Sequence, residues 1–567
     1  MDRNTIVRKG LAVGIILLFA ITSINQFTAQ KIEKSSLPIS RGNWLYVGGN
    51  GPGNYSKIQD AIENASAGST IYVYNGTYYE SFQILKSLTL IGENKYSTII
   101  DAQKNENVMV CKVNKIAVRG FTLKNWGTYD DSGILISSQW EPGVNPNYIN
   151  ITDNIFVGNS TYPVAIFFYA SNFNRVTDNI IMNCSGGIEI GAPHLKNVVA
   201  NNTIYGGVIN IWGNPRKDVI FNNHLMNGSM ILKYGSNNTI RNNIIENGTD
   251  ITITWVAKDT IVENNLLISS GSINLDEAVR TTVKNNTFVD SKGIALFGKN
   301  STYWDTHLIE NNTLNRKPIY YYQHASAVTV PSNASQIILG NCTNCIIKNL
   351  ILSKGWGIQL GYSSSNMIYE NTINGTSDSG IRLYASAHNN LSYNTITSNG
   401  KDGIEIVGPC IDNSIYKNII INNNRNGISL DLESSRNSIC QNSITSNKEE
   451  GVSCAGILNR CVENRIANNI IGVQLSYAFG TIIKRNNLIN NSINGFFSVV
   501  YRFAHSNKWI RNYYEPHNAR FCKIILGSIQ TRFGYYPFPM HSQWQWIYRP
   551  GFSVDWYPAQ VPYDIGG

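Results

Sequence analysis

An asparagine returns every twenty-odd residues through most of this 567-residue chain. The series runs Asn154, Asn179, Asn202, Asn223, Asn243, Asn265, Asn286 and Asn312, then Asn349, Asn371, Asn394, Asn418, Asn442, Asn469, Asn487 and Asn512. Apart from one wider gap, between Asn312 and Asn349, the steps are 18 to 27 residues. A period of this size signals stacked repeats, each too small to bury a core by itself. A second series keeps pace, in which glycine precedes a short apolar segment: Gly357, Gly380, Gly403 and Gly427 open Gly-Ile-x-Leu or Gly-Ile-x-Ile. Two aliphatic residues spaced two apart share one face of a strand, and the residue between them faces the other way.

The period alone does not separate a leucine-rich horseshoe from a parallel β-helix, but composition does. The repeats are rich in Ile, Val, Thr, Asn and Gly and poor in the Ala, Leu, Glu and Lys that a helix per repeat would need. β-Branched residues suit a pleated, half-buried surface, and Gly and Asn tolerate the left-handed backbone of tight corners. We read an all-β parallel solenoid with three short strands per coil. Asparagines stacked roughly 4.8 Å apart would hydrogen-bond along the column, a structural role that competes with any catalytic one.

The repeat runs without a Pro/Ser-rich linker, so one solenoid over 81–506 is expected, preceded by a cap region at 43–80 and followed by an aromatic-rich cap at 507–567. Within the first cap, Ser56-Lys-Ile-Gln59 is a capping-box pattern, and Ile58, Ala61, Ile62 and Ala65 fall on one face of a short helix. Solenoid ends need such covers because they expose core and unpaired strand edges. Residues 1–30 carry Arg3, Arg8 and Lys9, the apolar run from Leu11 to Ile21, and a polar tail. That is an export signal, either cleaved near Thr28-Ala29-Gln30 or retained as an anchor over 6–24. A secreted or cell-surface location follows. Net charge is +9 with no Lys/Arg block inside the repeats, which does not indicate nucleic-acid binding.

Eighteen Asn-x-Ser/Thr sequons occur, against roughly eleven expected by chance from the same composition. Those adjoining the repeated asparagines, at Asn201, Asn285 and Asn311, are expected to be buried at corners and unmodified. Nine cysteines do not form a disulfide framework in a chain this long. Cys342-Thr-Asn-Cys345 reads as core filler or as a lone metal or redox pair, and Cys454 and Cys461 could bridge a loop outside the cell.

The stretches Leu45-Tyr-Val-Gly-Gly-Asn-Gly-Pro-Gly, Gly68-Ser-Thr-Ile-Tyr-Val-Tyr-Asn-Gly-Thr-Tyr-Tyr-Glu80 and Ser87-Leu-Thr-Leu-Ile-Gly-Glu93 resemble the opening of pectin-lyase-like right-handed β-helix proteins. Lys317-Pro-Ile-Tyr-Tyr-Tyr322 and Val554-Asp-Trp-Tyr-Pro-Ala-Gln-Val-Pro-Tyr-Asp564 are similar to the NosD-like branch of that superfamily. The resemblance implies a right-handed coil. The superfamily's polygalacturonase Gly-His-Gly and epimerase Asp-Pro-His-Asp motifs are absent, and the esterase Gln-Asp-Thr survives only as Gln59-Asp60-Ala61. Copper, implied by the NosD-like name, is unsupported because eight scattered His and seven Met make no soft-metal cluster.

If the Gly-Ile-x-Leu strands stack in register, their outward residues form the column Gln359, Arg382, Glu405, Ser429, Ser453 and Gln474. Asp402, Asp431 and Tyr384 lie close to it in sequence. Asp402, Glu405, Asp431 and Arg382 are therefore the candidate catalytic set, since paired carboxylates cleave glycosides. Carboxylates holding calcium beside a base could instead drive β-elimination. Solvated ion pairing of Arg382 with Glu405 is the bland alternative. Tyr384, Trp509, Trp544, Trp546 and Trp556 are candidate sugar-stacking rings, or else simply a cap. The functional expectation is an exported surface protein binding glycans or surface partners. A polysaccharide lyase or glycosidase and a purely structural spacer are the alternatives, and the sequence leaves enzymatic activity open.

Overall fold

The computed structural model describes residues 43–127, 131–137, 145–159, 164–500, 506–515, 522–533, 545–556 and 558–565. The apolar leader and Trp544 lie outside them. No helix among the described residues is long and apolar enough to cross a membrane. The chain forms two compact units, residues 1–189 and 190–567.

In the first unit three columns of parallel strands are built coil by coil. Trp44–Val47, Ser69–Val73, Leu88–Gly92, Ala117–Arg119, Asn150–Thr152 and Arg175–Thr177 pair in that order. Gly76–Tyr78 starts the second column and Phe82–Ile84 the third. The columns therefore begin at Trp44, ahead of the expected residue 81. The helix Ile58–Asn64 buries Ile58, Ala61 and Ile62 as its periodicity predicts. Its capping box is not used. The N-cap is Lys57 without a side-chain bond, and the Glu80 carboxylate accepts the N–H groups of Ile58 at 3.0 Å and Gln59 at 3.1 Å. A carboxylate satisfies two free amides of a helix start better than a hydroxyl satisfies one, and it also complements the helix dipole.

The second unit continues the same construction and contains one break. Gly293–Phe297 and Leu308–Glu310 are the last strands of their sheets, and Thr313–Leu314 turns back antiparallel onto Lys317–Gln323. From there Gln336–Gly340, Ile358–Gly361, Ile381–Tyr384, Ile404–Val407 and Ile428–Leu430 stack in parallel register. The wider gap between Asn312 and Asn349 is this break. The columns run on to Lys508–Ile510 and Tyr513–Glu515, past the expected boundary at 506. An antiparallel hairpin, Cys522–Phe533 with Gln545–Trp556, then pairs with them.

Aliphatic side chains of successive coils stack in the core, as in Ile368, Leu391, Ile415 and Ile439, all fully buried. Asparagine ladders run alongside. Each amide oxygen accepts the backbone N–H and the side-chain N–H of its neighbour, as Asn418 Oδ1 does from Asn394 at 2.9 Å twice. After the break three long asparagine ladders run through the described residues: Asn366 to Asn459, Asn371 to Asn512, and Asn399 to Asn491. The sequence series mixes them beyond Asn442, because Asn464 and Asn486 continue that ladder while Asn469 belongs to another. Asn349 is an exposed corner, and Leu350 holds the ladder position, its N–H bonded to Asn371 Oδ1.

The strand-opening Gly380, Gly403 and Gly427 are needed for space, not for a left-handed backbone, whereas Gly357 has a φ of 62°. A Cβ on Gly403 would sit 2.5 Å from Ile420 Cγ2 of the next coil. The left-handed corners fall instead on residues such as the exposed Asn422 and the half-buried Lys417, with φ of 58° and 51°.

Candidate functional site

The expected outward column exists. Gln359, Arg382, Glu405, Ser429, Ser453 and Gln474 are register partners on adjacent strands. Its lower end is covered, which the sequence did not reveal. Gln359 is 0 % exposed, with its Oε1 accepting from Leu296 N and its Nε2 donating to Ile294 O at 2.9 Å. Gln336 contacts the N–H and carbonyl of Ile294 in the same way. Two glutamine amides thus replace the missing neighbour of the edge strand Gly293–Phe297, whose backbone groups would otherwise be buried unpaired.

That covering fixes the fate of Arg382 and Tyr384. The Arg382 guanidinium lies 4.9 Å from the Phe297 ring centroid, and its Nε is 3.5 Å from Glu405 Oε2. Tyr384 stacks on Trp304 at 5.7 Å between ring centroids and is 9 % exposed, so it offers no free face to a sugar. Burial, then the nearby Glu433 and Asp431 charges, push its phenol up.

The carboxylates have partners as well. Asp402 is 1 % exposed; its Oδ1 accepts Asn426 N at 2.9 Å and its Oδ2 accepts Ser429 Oγ at 3.0 Å. Asn426 in turn accepts Glu450 N, so Asp402 occupies a rung of another short ladder. Asp431 accepts Gly408 N at 2.6 Å, Glu433 N at 3.1 Å and Ser434 Oγ at 3.0 Å, bonds that hold a turn. Glu405 accepts Ser379 Oγ at 3.0 Å and keeps 19 % of its side chain exposed. Burial raises both the Asp402 and Glu405 carboxyls, opposed at Glu405 by Arg382. Arg382, Glu405 and Asp402 lie near one another, and of the four candidates only Asp402 is buried, Arg382, Glu405 and Asp431 each keeping partial exposure. No cluster of three or more metal-ligating side chains occurs among the described residues.

The aromatic expectation is corrected at Trp509. It is 3 % exposed and packs in the hydrophobic core, where its ring substitutes for an aliphatic rung. Trp546 and Trp556 lie on the strand Gln545–Trp556 of the closing hairpin.

A different surface gathers polar and aromatic groups in the open. The left-handed corner after successive strands carries Tyr393, Lys417, Gln441, Glu463 and Arg485, one per coil. Tyr393 is 52 % exposed, and Lys417 Nζ stands 5.8 Å from its ring centroid and 5.3 Å from that of Tyr416. Glu463 accepts from Gln441 Nε2 at 3.1 Å and lies 3.5 Å from Arg485 Nη1. Lys417, Gln441, Glu463 and Arg485, together with Tyr563 to Ile565, line a pocket of about 300 Å³. Asn487 fixes Tyr563 by paired bonds to its carbonyl at 2.8 Å and N–H at 2.9 Å, and the Tyr563 hydroxyl donates to Arg511 O at 2.7 Å. The sequence signal was there, since the residue before each ladder asparagine is an outward corner. The tail's return to that corner was not legible.

A family model described as right-handed beta helix region matches residues 323–461. No curated protein matches the chain. Among solved structures, the A-module of Azotobacter vinelandii mannuronan C-5 epimerase AlgE6 is 13 % identical, covering 81 % of this chain and 95 % of its own, with a TM-score of 0.20. The alginate lyase AlyF-OU02 in complex with G6 is 13 % identical over 65 % of this chain and 88 % of its own, with a TM-score of 0.32. The GH87 alpha-1,3-glucanase catalytic domain in complex with nigerose is 15 % identical over 69 % and 66 %, with a TM-score of 0.32.

Proposed function

We propose that this chain is an exported, cell-surface β-helix protein of the NosD-like branch that binds glycans at the corner running from Tyr393 to Arg485. The carrying observation is the pocket itself. The exposed Tyr393 ring beside the pocket and the half-buried Tyr416 and Tyr563 rings offer apolar faces to a pyranose, and Lys417, Gln441, Glu463 and Arg485 supply donors and acceptors for its hydroxyl or carboxylate groups. The reading requires no metal. The supposed catalytic column supports it indirectly, because Asp402 and Asp431 spend their oxygens on backbone amides and serines.

The test is to incubate the protein with pectate, alginate and neutral glycans, with and without calcium, while measuring both binding and product. Retained binding without new reducing ends or unsaturated uronides is the expected result. Replacing Lys417 and Arg485 with alanine should weaken it on the order of tenfold, about 1.4 kcal/mol. Absence of binding to every glycan would contradict the proposal. Glu405, with a raised and partly open carboxyl, favours a second reading as proton donor of a glycosidase. Products that vanish in Glu405→Gln would establish that reading instead.

A further inference from the structure

The sequons and the ladders divide this chain's asparagines into two groups that do not overlap. Of the eighteen Asn-x-Ser/Thr asparagines, fifteen are exposed and three, Asn54, Asn150 and Asn159, are half-buried. None of the buried asparagines is a sequon. Asn201, Asn285 and Asn311, expected to be buried, stand exposed at left-handed corners with φ of 55° to 56°, and the ladder bonds are made by Asn202, Asn286 and Asn312 just after them.

Register explains the division. Two residues beyond the asparagines of the ladder through Asn223 the chain points into the core, as at Leu225 after Asn223, Ile245 after Asn243 and Leu267 after Asn265, whereas beyond Asn399, Asn423 and Asn447 stand the charged Lys401, Arg425 and Glu449. Neither an aliphatic nor a charged residue there completes a sequon. Two residues beyond Asn285 and Asn311 the chain points outward, and Thr287 and Thr313 complete the sequons there. Asn227 and Asn247, on adjacent coils of a further corner, complete theirs with Ser229 and Thr249. The side-chain amides of Asn227, Asn247, Asn285 and Asn311 take part in no hydrogen bond among the described residues, so a substituent there disturbs no ladder.

We propose that Asn227, Asn247, Asn285 and Asn311 are sites of N-linked glycosylation. The donor is a lipid-phosphate-linked oligosaccharide. The amide nitrogen bonds to the anomeric carbon as that carbon's bond to the phosphate oxygen breaks; the nitrogen gives up one proton and the lipid phosphate leaves. When transfer precedes folding, burial cannot shield a ladder asparagine, and only the residue two places on, which is neither Ser nor Thr at any ladder position, does so. A glycan on a ladder amide would remove a donor that the adjoining coil needs. The corner asparagines accept glycans without that penalty.

The inference rests on export, and the experiment separates the two. The protein is recovered from the cells that naturally make it after fractionation into surface and interior, then mapped by mass spectrometry of its peptides. Glycan-bearing peptides covering Asn227, Asn247, Asn285 and Asn311 in the surface fraction, with every ladder peptide unmodified, are expected. Asn227→Gln with Asn247→Gln should remove two of those glycopeptides and lower the unfolding transition only by the lost left-handed tolerance of two corners. A surface fraction whose corner peptides are all unmodified overturns the glycosylation sites while leaving export standing. Protein found only inside the cell overturns both, and a glycan on any ladder asparagine contradicts the register rule.

Discussion

Asp555 Oδ2 accepts both the backbone N–H and the side-chain amide of Asn512, each at 2.8 Å, and so ends the ladder that begins at Asn371. The same carboxylate accepts Arg511 N at 2.7 Å and the Tyr514 hydroxyl at 2.9 Å, and Asp555 is fully buried. A repeating column of amides needs an acceptor at its last member, and the closing hairpin carries one there.

Asp555→Ala leaves four donors without their acceptor. Loss of charge-assisted bonds at a buried site should cost about 3 kcal/mol or more. Because each coil contacts chiefly its neighbours, the effect should be local. Hydrogen exchange is expected to speed up over 482–515 while amides at 358–430 keep their protection.

Ladder and corner asparagines should respond differently to the same change. Asn418→Ala removes the acceptor of two Asn394 donors and the donor to Leu391 O, costing about 2–4 kcal/mol. Asn422, exposed with φ of 58°, loses only its tolerance of that conformation on Asn422→Ala, about 1 kcal/mol. Denaturant unfolding of the two variants measures the difference.

His307 should make stability depend on pH. Burial lowers its pKa from 6.5 to about 4, while Nδ1 accepts Thr281 N–H and Nε2 faces Tyr303 O. Below pH 6.5 the unfolded chain takes up the proton first. The contribution is thus complete above 6.5 and is lost as pH falls towards 4, up to about 3 kcal/mol. Subtracting the His307→Gln pH profile from that of the wild type should isolate this slope.

The buried thiols should be inert. Burial pushes Cys111, Cys184, Cys410 and Cys454 up to about 12, and Cys342 to about 11. Thiolate, the reactive form, is therefore scarce at neutral pH. Of the eight cysteines from Cys111 to Cys461, Cys440, half-buried, is expected to be alkylated first in the native protein.

The repeat made the solenoid legible, because inward aliphatics and ladder asparagines answer to local geometry that every coil must satisfy. The outward column from Gln359 to Gln474 was legible for the same reason. What covers that column was not. Phe297 and Trp304 reach Arg382 and Tyr384 only because the array breaks after Leu314, and sequence showed the break merely as a long interval. Asp402 looked like chemistry because a carboxylate reads alike whether it serves a substrate or the Asn426 amide. The pocket depends on Tyr563 returning to Asn487, a contact between distant residues that no periodic signal encodes.

The most direct test is the hydrogen-exchange footprint of a bound glycan on the full-length protein. Protection is predicted around Tyr393, Tyr416, Lys417, Gln441, Glu463, Arg485 and Tyr563. Protection confined to the Ser379 to Arg382 and Asp402 to Glu405 segments would contradict binding at this corner.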